Sequence, residues 1–265
     1  MKADLHIHSN VSDGSDSVGR IIEKAKAKGL DLIIITDHDT MAHRFKLAGG
    51  GGLRAEAGVE ISAIHKPSKM KAHILGYNIA KPELIETLTL PLLEARSANS
   101  EKQARILADA GYHIDMEKLN RADGKYLYKQ HIMEWLVKTE QTSDMFGEFY
   151  KTTFKGGGVC DFDIEYIDVF EAVKTIKDAG GFAVLAHPGQ QHNFSLIPAL
   201  VKAGLDGLEL NHHSNSIKDK QTILEYSKAH GLFLTGGSDY HGDNDERAIE
   251  IGDYLSHESG LAALF

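Results

Sequence analysis

Short apolar runs alternate with amphipathic stripes toward both ends of the chain, and this alternation is its clearest structural signal. Apolar runs that lead into polar residues predict seven strands, at residues 4–8, 31–40, 55–62, 72–78, 181–189, 207–213 and 232–241. Residues with helical spacing predict helices at 18–25, 166–179, 196–203 and 217–229. Gly29, Gly180 and Gly231 follow three of these stripes and predict the helix ends.

The middle of the chain has a different character. Residues 82–156 are more polar, and their spacing predicts helices at 84–110 and 129–140. We therefore expect residues 82–156 to form an inserted helical subdomain, or lid, and residues 1–81 and 157–265 to form one barrel domain. The Gly-rich stretch at 49–52 predicts a loop.

The alternation of strands and helices predicts the fold class. Such a pattern is typical of an α/β protein with a parallel sheet and helices outside it. A length of 265 residues suits an α/β barrel built as one unit. Enzymes on such barrels carry their chemistry at the C-terminal ends of the strands. His73 fits this rule poorly because it lies near the start of its apolar run, unless that strand is reversed or short.

Histidines and carboxylates gather at the predicted strand ends. His6 and His8 share one face of the first strand, and Asp239 and His241 repeat the spacing of two. Mixed imidazole and carboxylate ligation suits zinc, iron and manganese. Two or three ions sharing a bridging carboxylate would accommodate the whole set, and Glu60 is the best bridge because it lies on a middle strand. The candidate metal ligands are His6, His8, Asp13, His38, Glu60, His73, His187, Asp239 and His241.

A site of this kind predicts hydrolysis at phosphorus. Clustered ions generate a metal-bound hydroxide nucleophile and stabilise the attacking and leaving oxygens. The ions would also make the pocket positive within a protein of formal net charge −9, which favours an anionic substrate.

Composition narrows the function classes. The apolar fraction of 42% suits a folded core, and the acidic balance argues weakly against a broad nucleic-acid-binding face. The single cysteine, Cys160, excludes an internal disulfide and fits a reducing compartment. The sequence shows no apolar leader and no apolar run long enough to span a membrane, so we expect a cytoplasmic protein. We also expect no membrane association and no obligate protein partner.

Six motifs resemble those of the PHP (polymerase and histidinol phosphatase) family, in its free-standing phosphoesterase branch. They are D-L-H-I-H-S, T-D-H-D-T, G-V-E-I-S, H-I-L-G-Y, V-L-A-H-P-G and G-S-D-Y-H-G. The resemblance implies a distorted seven-stranded (β/α)7 barrel with a trinuclear metal site. It further implies three ligand sets, which are His6, His8, Glu60 and Asp239; Glu60, His73 and His187; and Asp13, His38 and His241.

Two departures from that family pattern concern the substrate. Members usually show Arg-Pro-His in the insertion, where this chain has Lys129, Gln130 and His131. Lysine holds a phosphate as a point charge and lacks the bidentate fork of arginine. After the sixth strand the chain reads N-H-H-S-N, which makes His212 a candidate substrate contact or general acid. The candidate catalytic residues are Glu60, Asp239 and His212, and the candidate phosphate contacts are Lys129, His131 and His212.

The leading hypothesis is a metal-dependent phosphoesterase that acts on a small phosphorylated metabolite or nucleotide, as a monoester or a cyclic or small diester. The alternative is a 5′-3′ exonuclease or oligoribonuclease of the same family, which would make short oligonucleotides its substrates. A C–N hydrolase would need a bridging lysine where this chain has Glu60, and a non-catalytic module would be expected to have lost ligands. Asp37 and Asp39 flank His38 and either support it or lie at the surface.

Overall fold

The computed structural model describes residues 1–47, 52–119, 121, 125–245 and 247–265, so most of the predicted loop at 49–52 lies outside the described residues. The strands in these residues are β1 (Ala3–Ile7), β2 (Leu32–Ile35), β3 (Arg54–Ala57), β4 (Val59–His65), β5 (Met70–Tyr77), β6 (Ile167–Asp168), β7 (Phe182–Leu185), β8 (Gly207–Asn211) and β9 (Phe233–Gly236). The α-helices are α1 (Val18–Ala27), α2 (Pro82–Asp109), α3 (Lys129–Lys138), α4 (Glu148–Thr153), α5 (Val169–Asp178), α6 (Pro188–Gln191), α7 (Ile197–Ala203), α8 (Ile217–His230) and α9 (Glu258–Leu264).

The strands form two adjoining sheets. One has the order β1-β2-β3 and is parallel, and the other has the order β6-β4-β5-β7-β8-β9 and is mixed. The chain after β9 meets β1, because the N–H of Asp239 donates to the carbonyl of His6 at 2.8 Å. The predicted α/β class is confirmed, whereas a closed seven-stranded (β/α)7 barrel is not.

One predicted strand, 55–62, is two strands in the structure. After β3, which pairs with β2, the chain turns at Gly58. It then continues as β4, which pairs with β5. A Cβ at Gly58 would lie 2.8 Å from the carbonyl oxygen of Gly76, so only glycine fits this crossing. A strand that changes sheets keeps an unbroken apolar pattern, which explains why the sequence predicts a single run.

The all-parallel expectation is wrong for β5. This strand runs antiparallel to both β4 and β7, because the short turn after His65 forms a hairpin rather than a helical crossover. The reversal brings the first half of β5, with His73, to the edge where the parallel strands end. His73 pairs across the sheet with Ser62, two residues after Glu60.

Apolar side chains from both sheets form the floor beneath that edge. Leu5 on β1, Ile34 on β2, Tyr77 on β5 and Val184 on β7 belong to one buried cluster, each no more than 1% exposed. Burying a side chain of this size contributes roughly 1.5–3 kcal/mol relative to leaving it in water. The Tyr77 hydroxyl also donates to the Leu5 carbonyl at 3.0 Å, which ties β5 to β1 directly below His6.

The predicted helices outside residues 82–156 form for local reasons. In α1, the predicted stripe of Val18, Ile21, Ile22 and Ala25 is buried, and the Ser17 side chain accepts from the N-terminal turn. In α8, Ser216 and Asp219 form a capping box, and Gly231 ends the helix in the left-handed region.

Residues 82–156 contain α2, α3 and α4, close to the predicted helices at 84–110 and 129–140. Leu107, Leu136 and Phe154 belong to a separate apolar cluster that also buries Cys160. Among the described residues, none of the helices combines the length and the hydrophobicity that a transmembrane span requires.

Gly237 offers a direct test of how tightly β1 meets the chain after β9. A Cβ there would lie 2.3 Å from the His6 Cβ, so we expect Gly237→Ala to lower the free energy of unfolding by about 1–3 kcal/mol. Gly19→Ala in α1 is the control, because its Cβ meets only the Ser17 Oγ at 4.0 Å and alanine favours helix by roughly 0.5–1 kcal/mol. Urea unfolding of both variants measures the difference, and equal stability would contradict the packing described.

Candidate metal centre

Side chains from seven parts of the chain converge at one edge of the two sheets. His6 lies on β1 and His8 follows it, Glu60 lies on β4, and His73 lies on β5. The remaining candidates lie in the segments that follow strands, which are Asp13, His38, His187, Asp239 and His241. All nine sequence-predicted metal ligands are therefore brought to one place, and their side chains form three overlapping groups around Glu60 and His8.

The first group contains His6, His8, Glu60 and Asp239. The Nε2 atoms of His6 and His8 lie 3.1 Å apart, and each lies 3.1–3.3 Å from Glu60 Oε2 and from Asp239 Oδ1. Four atoms with lone pairs thus surround one point. This is the set expected for the first ion.

The second group uses the other oxygen of Glu60. His73 Nδ1 and His187 Nε2 each lie 2.8 Å from Glu60 Oε1. His38 lies between the two groups, because its Nδ1 is 3.3 Å from Glu60 Oε2, the oxygen that faces the first group. Because its two oxygens face different groups, Glu60 has the geometry of a bridging carboxylate.

The third group contains Asp13, His38 and His241, and the structure adds His8 to it. Asp13 Oδ1 lies 3.5 Å from His241 Nε2 and 3.7 Å from His8 Nδ1. His8 therefore faces the first group with one ring nitrogen and the third group with the other.

The donor atoms fit divalent ions. His8 Nδ1 is buried and has no hydrogen-bond partner in the described residues. A buried polar atom without a partner costs about 1–3 kcal/mol. Because a neutral imidazole has one lone pair and one N–H, His8 can give a lone pair to an ion in one of the two groups only. Imidazole and carboxylate donors without sulfur suit zinc, iron and manganese.

Charge compensation keeps the carboxylates ionised. Burial alone would raise the pKa of Glu60, but His38, His73 and His6 hold it well below its usual range. His6 and His241 act in the same way on the pKa of Asp239, against the effect of its burial. Burial lowers the pKa of His38 to about 4, against the raising effects of Glu60 and Asp13.

Glu209 on β8 is a supporting residue that sequence reasoning missed. His6 Nδ1 donates to its Oε1 at 3.0 Å, and the backbone N–H of His187 donates to its Oε2 at 2.8 Å. The first bond leaves His6 Nε2 free for the centre. The sequence signal for this residue was a glutamate between two leucines in a strand that is buried on both faces. A buried charge needs a partner.

Asp37 and Asp39 are both completely buried, which decides between the two alternatives that the sequence left open. Asp37 accepts from the Ser9 N–H and from the hydroxyls of Ser9 and Ser12, each at 2.7 Å, and so fixes the loop that carries Asp13. Asp39 accepts from the Ser62 N–H at 2.7 Å, next to Glu60. Both carboxylates support the segments around His38.

A cavity of about 410 Å³ opens above the centre. Asp13, His38 and His73 line its floor, while α2 and α3 supply part of its wall. Its cationic side chains are Lys71, Arg96, Lys129 and Lys155, and its aromatic side chains are Phe146, Tyr150 and Tyr166. Sequence reasoning did not identify Arg96, because the fold determines which residues of a long helix face the centre.

The three predicted phosphate contacts have different surroundings. Lys129 lines the cavity, with its ammonium 5.4 Å from the ring centre of Phe154. Burial and then Lys155 lower the pKa of Lys129. His131 is buried, and its Nδ1 accepts the Tyr128 N–H at 3.2 Å, so it caps α3.

His212 is also buried and lies beneath the centre rather than in the cavity wall. Its Nδ1 accepts the Ser214 N–H at 3.1 Å, so its proton is on Nε2, which donates to Asp239 Oδ2 at 3.2 Å. His213 is half-buried beside Arg247.

Comparisons with known proteins agree with this geometry. A relative from Eggerthella lenta named phosphoribosyl 1,2-cyclic phosphate 1,2-diphosphodiesterase is 39% identical over 249 residues, which cover 91% of this chain and 95% of the relative. A Haemophilus influenzae protein named 5′-3′ exoribonuclease is 30% identical, with 91% of this chain and 90% of that protein covered. A Bifidobacterium adolescentis crystal structure, assigned as a metal-dependent phosphoesterase, superposes with a TM-score of 0.85 at 24% identity and covers 99% of this chain and 94% of that one, which supports the fold alone.

The family model of the PHP domain matches residues 4–184, more than half of the chain. That match includes four of the six motifs in full and ends at Val184, the first residue of V-L-A-H-P-G. The sixth motif, G-S-D-Y-H-G, follows β9 at the same edge of the sheets. With its convergent histidines and carboxylates, the chain belongs to the PHP domain family.

Proposed function

We propose that this PHP-family phosphoesterase hydrolyses a small phosphorylated metabolite or nucleotide, either a monoester or a cyclic or small diester. The observation that carries the proposal is the cavity of about 410 Å³, which has three candidate metal ligands in its floor and four cations around it. Ligand sites of roughly 300–1,000 Å³ take molecules of nucleotide or sugar-phosphate size.

The metal assignment is part of the same proposal. His6, His8, Glu60 and Asp239 would hold one ion, and Glu60, His73 and His187 would hold a second. Asp13, His38 and His241 would hold the third, with His8 beside them. Bound divalent ions supply a nucleophile from water at neutral pH and neutralise charge on the phosphoryl oxygens.

The cations above the centre would bind and orient the substrate. Lys71 and Arg96 have carboxylate partners, at 3.0 Å from Asp163 and 2.7 Å from Asp39. Lys129 and Lys155 have no carboxylate within 4.0 Å among the described residues, so their charge is available to an anion. This supports a substrate with an anionic group beyond the scissile phosphate, such as the phosphoribosyl cyclic phosphate of the Eggerthella lenta relative's name.

The remaining candidates would hold the ions or support the residues around them. Glu60 and Asp239 hold the ions in register, and the Nε2 proton of His212 holds Asp239. His131 caps the helix that presents Lys129. The helical segment 82–156 would form a lid that excludes bulk water from the cavity, with α2 and α3 in its wall.

A second candidate substrate is a 5′-phosphorylated oligonucleotide. Phe146, Tyr150 and Tyr166 line the cavity and offer faces on which a base would stack. The name of the Haemophilus influenzae relative points the same way.

The products that the manganese-loaded protein forms, followed by ³¹P NMR, test the function, because a monoester releases inorganic phosphate whereas a diester yields a phosphomonoester. The panel comprises sugar cyclic phosphates, nucleoside mono- and bisphosphates, sugar phosphates and 5′-phosphorylated oligonucleotides. We expect turnover of small molecules that EDTA abolishes and manganese restores. Preferential turnover of oligonucleotides would favour the second candidate, and turnover of no phosphoester would refute both.

Lysine variants test the anionic subsite. Lys129→Met and Lys155→Met each remove one charge-assisted contact worth about 1.5–3 kcal/mol, so we expect kcat/KM to fall about 10- to 100-fold. The fall should occur with ribose 1,2-cyclic phosphate that carries a 5-phosphate and be absent without the 5-phosphate. Lys151→Met is the control, because Lys151 is exposed on α4 and lies outside the cavity lining. An equal fall with both substrates would contradict a separate subsite.

A further inference from the structure

The helical segment 82–156 reaches one of the candidate metal ligands directly. Gln130, the second residue of α3, donates from its Nε2 to Asp13 Oδ2 at 2.9 Å. A carboxylate only accepts hydrogen bonds, so the amide nitrogen must be the atom that faces Asp13. Gln130 also lines the cavity, beside Lys129.

This bond determines how the Asp13 carboxylate is turned. With Oδ2 engaged by Gln130, Oδ1 is the oxygen that faces His241 Nε2 at 3.5 Å and His8 Nδ1 at 3.7 Å. The backbone of Asp13 is fixed separately, because Asn244 Nδ2 donates to its carbonyl at 2.8 Å. Ser12 Oγ also lies 3.2 Å from Asp13 Oδ1, but its hydroxyl donates to Asp37 Oδ1 at the shorter distance of 2.7 Å. Gln130 therefore fixes the orientation of the carboxylate, while the position of Asp13 depends on the loop.

A second bond from the same helix start acts on the same group. The Tyr128 hydroxyl donates to the carbonyl of His38 at 3.0 Å. The Arg96 guanidinium on α2 bonds Asp39, the next residue, at 2.7 Å. The first group is supported differently, because Glu209 holds His6 from within the sheet.

We propose that Gln130 is a positioning residue for the third ion, and that this ion and the helical segment stabilise each other's placement. The inference rests on the proposed function, because the ion belongs to the trinuclear centre. Any contact that favours the ion-bound state must be favoured by the ion in return. Loss of the Gln130 bond frees the Asp13 carboxylate to rotate and weakens the third site, while the two sites that share Glu60 keep their ligands and supports.

The test measures metal affinity rather than activity. Protein stripped with EDTA is titrated with Mn²⁺ by calorimetry, and bound ions are counted by elemental analysis. Gln130→Met keeps the size of the side chain and removes the donor. We expect three sites in the unchanged protein, with one weakened about 10- to 100-fold in Gln130→Met, the usual effect of losing a group that orients a ligand. Amide exchange in α3 of the manganese-loaded variant should rise.

Gln190→Met is the matched control, because Gln190 lines the same cavity and its side chain does not bond Asp13. We expect it to bind manganese like the unchanged protein. If circular dichroism shows that Gln130→Met is unfolded, Gln130→Asn replaces it. Asparagine keeps the amide but is one methylene too short to reach Asp13. Unaltered affinity at all sites in a folded Gln130 variant overturns the proposal, and so does an unchanged protein with fewer than three sites.

These outcomes separate this inference from the proposed function. A protein that hydrolyses phosphoesters while its Gln130 variant binds manganese normally refutes only the role of Gln130. A protein that shows the predicted site-specific weakening but cleaves no phosphoester refutes the function and leaves the positioning role intact.

Discussion

The carboxylate of Glu60 is the constraint on which the rest of the structure depends. It is 1% exposed, and each of its oxygens faces imidazoles from other strands. A buried charge without partners costs several kcal/mol, so the fold must bring compensating groups to this point. The parallel strands do so with their C-terminal ends, and β5 does so by running in reverse. The imidazoles that compensate Glu60 are also the groups that would hold metal ions.

Further carboxylates fix the parts around that charge. Asp4 bonds the Ser238 hydroxyl at 2.6 Å and the Gly252 N–H at 2.8 Å, which ties β1 to the segment that carries Asp239. Glu209 ties β8 to β1 and β7, and Asp37 ties the first two strand ends together. His6 and the segments that carry Asp13 and Asp239 are thus held by distant buried groups. This arrangement gives the preorganisation that hydrolysis at phosphorus requires.

Sequence reasoning predicted the α/β class, the family and the residues that converge, because each ligand lies in or beside an apolar run. It missed the split at Gly58 and the reversal of β5, since apolar patterning records burial and not strand direction. It also missed Arg96, Gln130 and Glu209, whose roles depend on tertiary neighbours. The substrate contacts predicted at His212 and His131 stay predictions: both ring nitrogens of His212 bond within the protein, whereas His131 bonds there through Nδ1.

The most direct test of the account is anomalous diffraction from crystals of this protein grown or soaked in manganese. The account predicts three anomalous peaks within about 2.0–2.5 Å of the donor atoms, two of them on opposite oxygens of Glu60 and the third between Asp13, His38 and His241. A single peak, or peaks that leave Glu60 without a metal contact, would contradict a centre organised around that carboxylate.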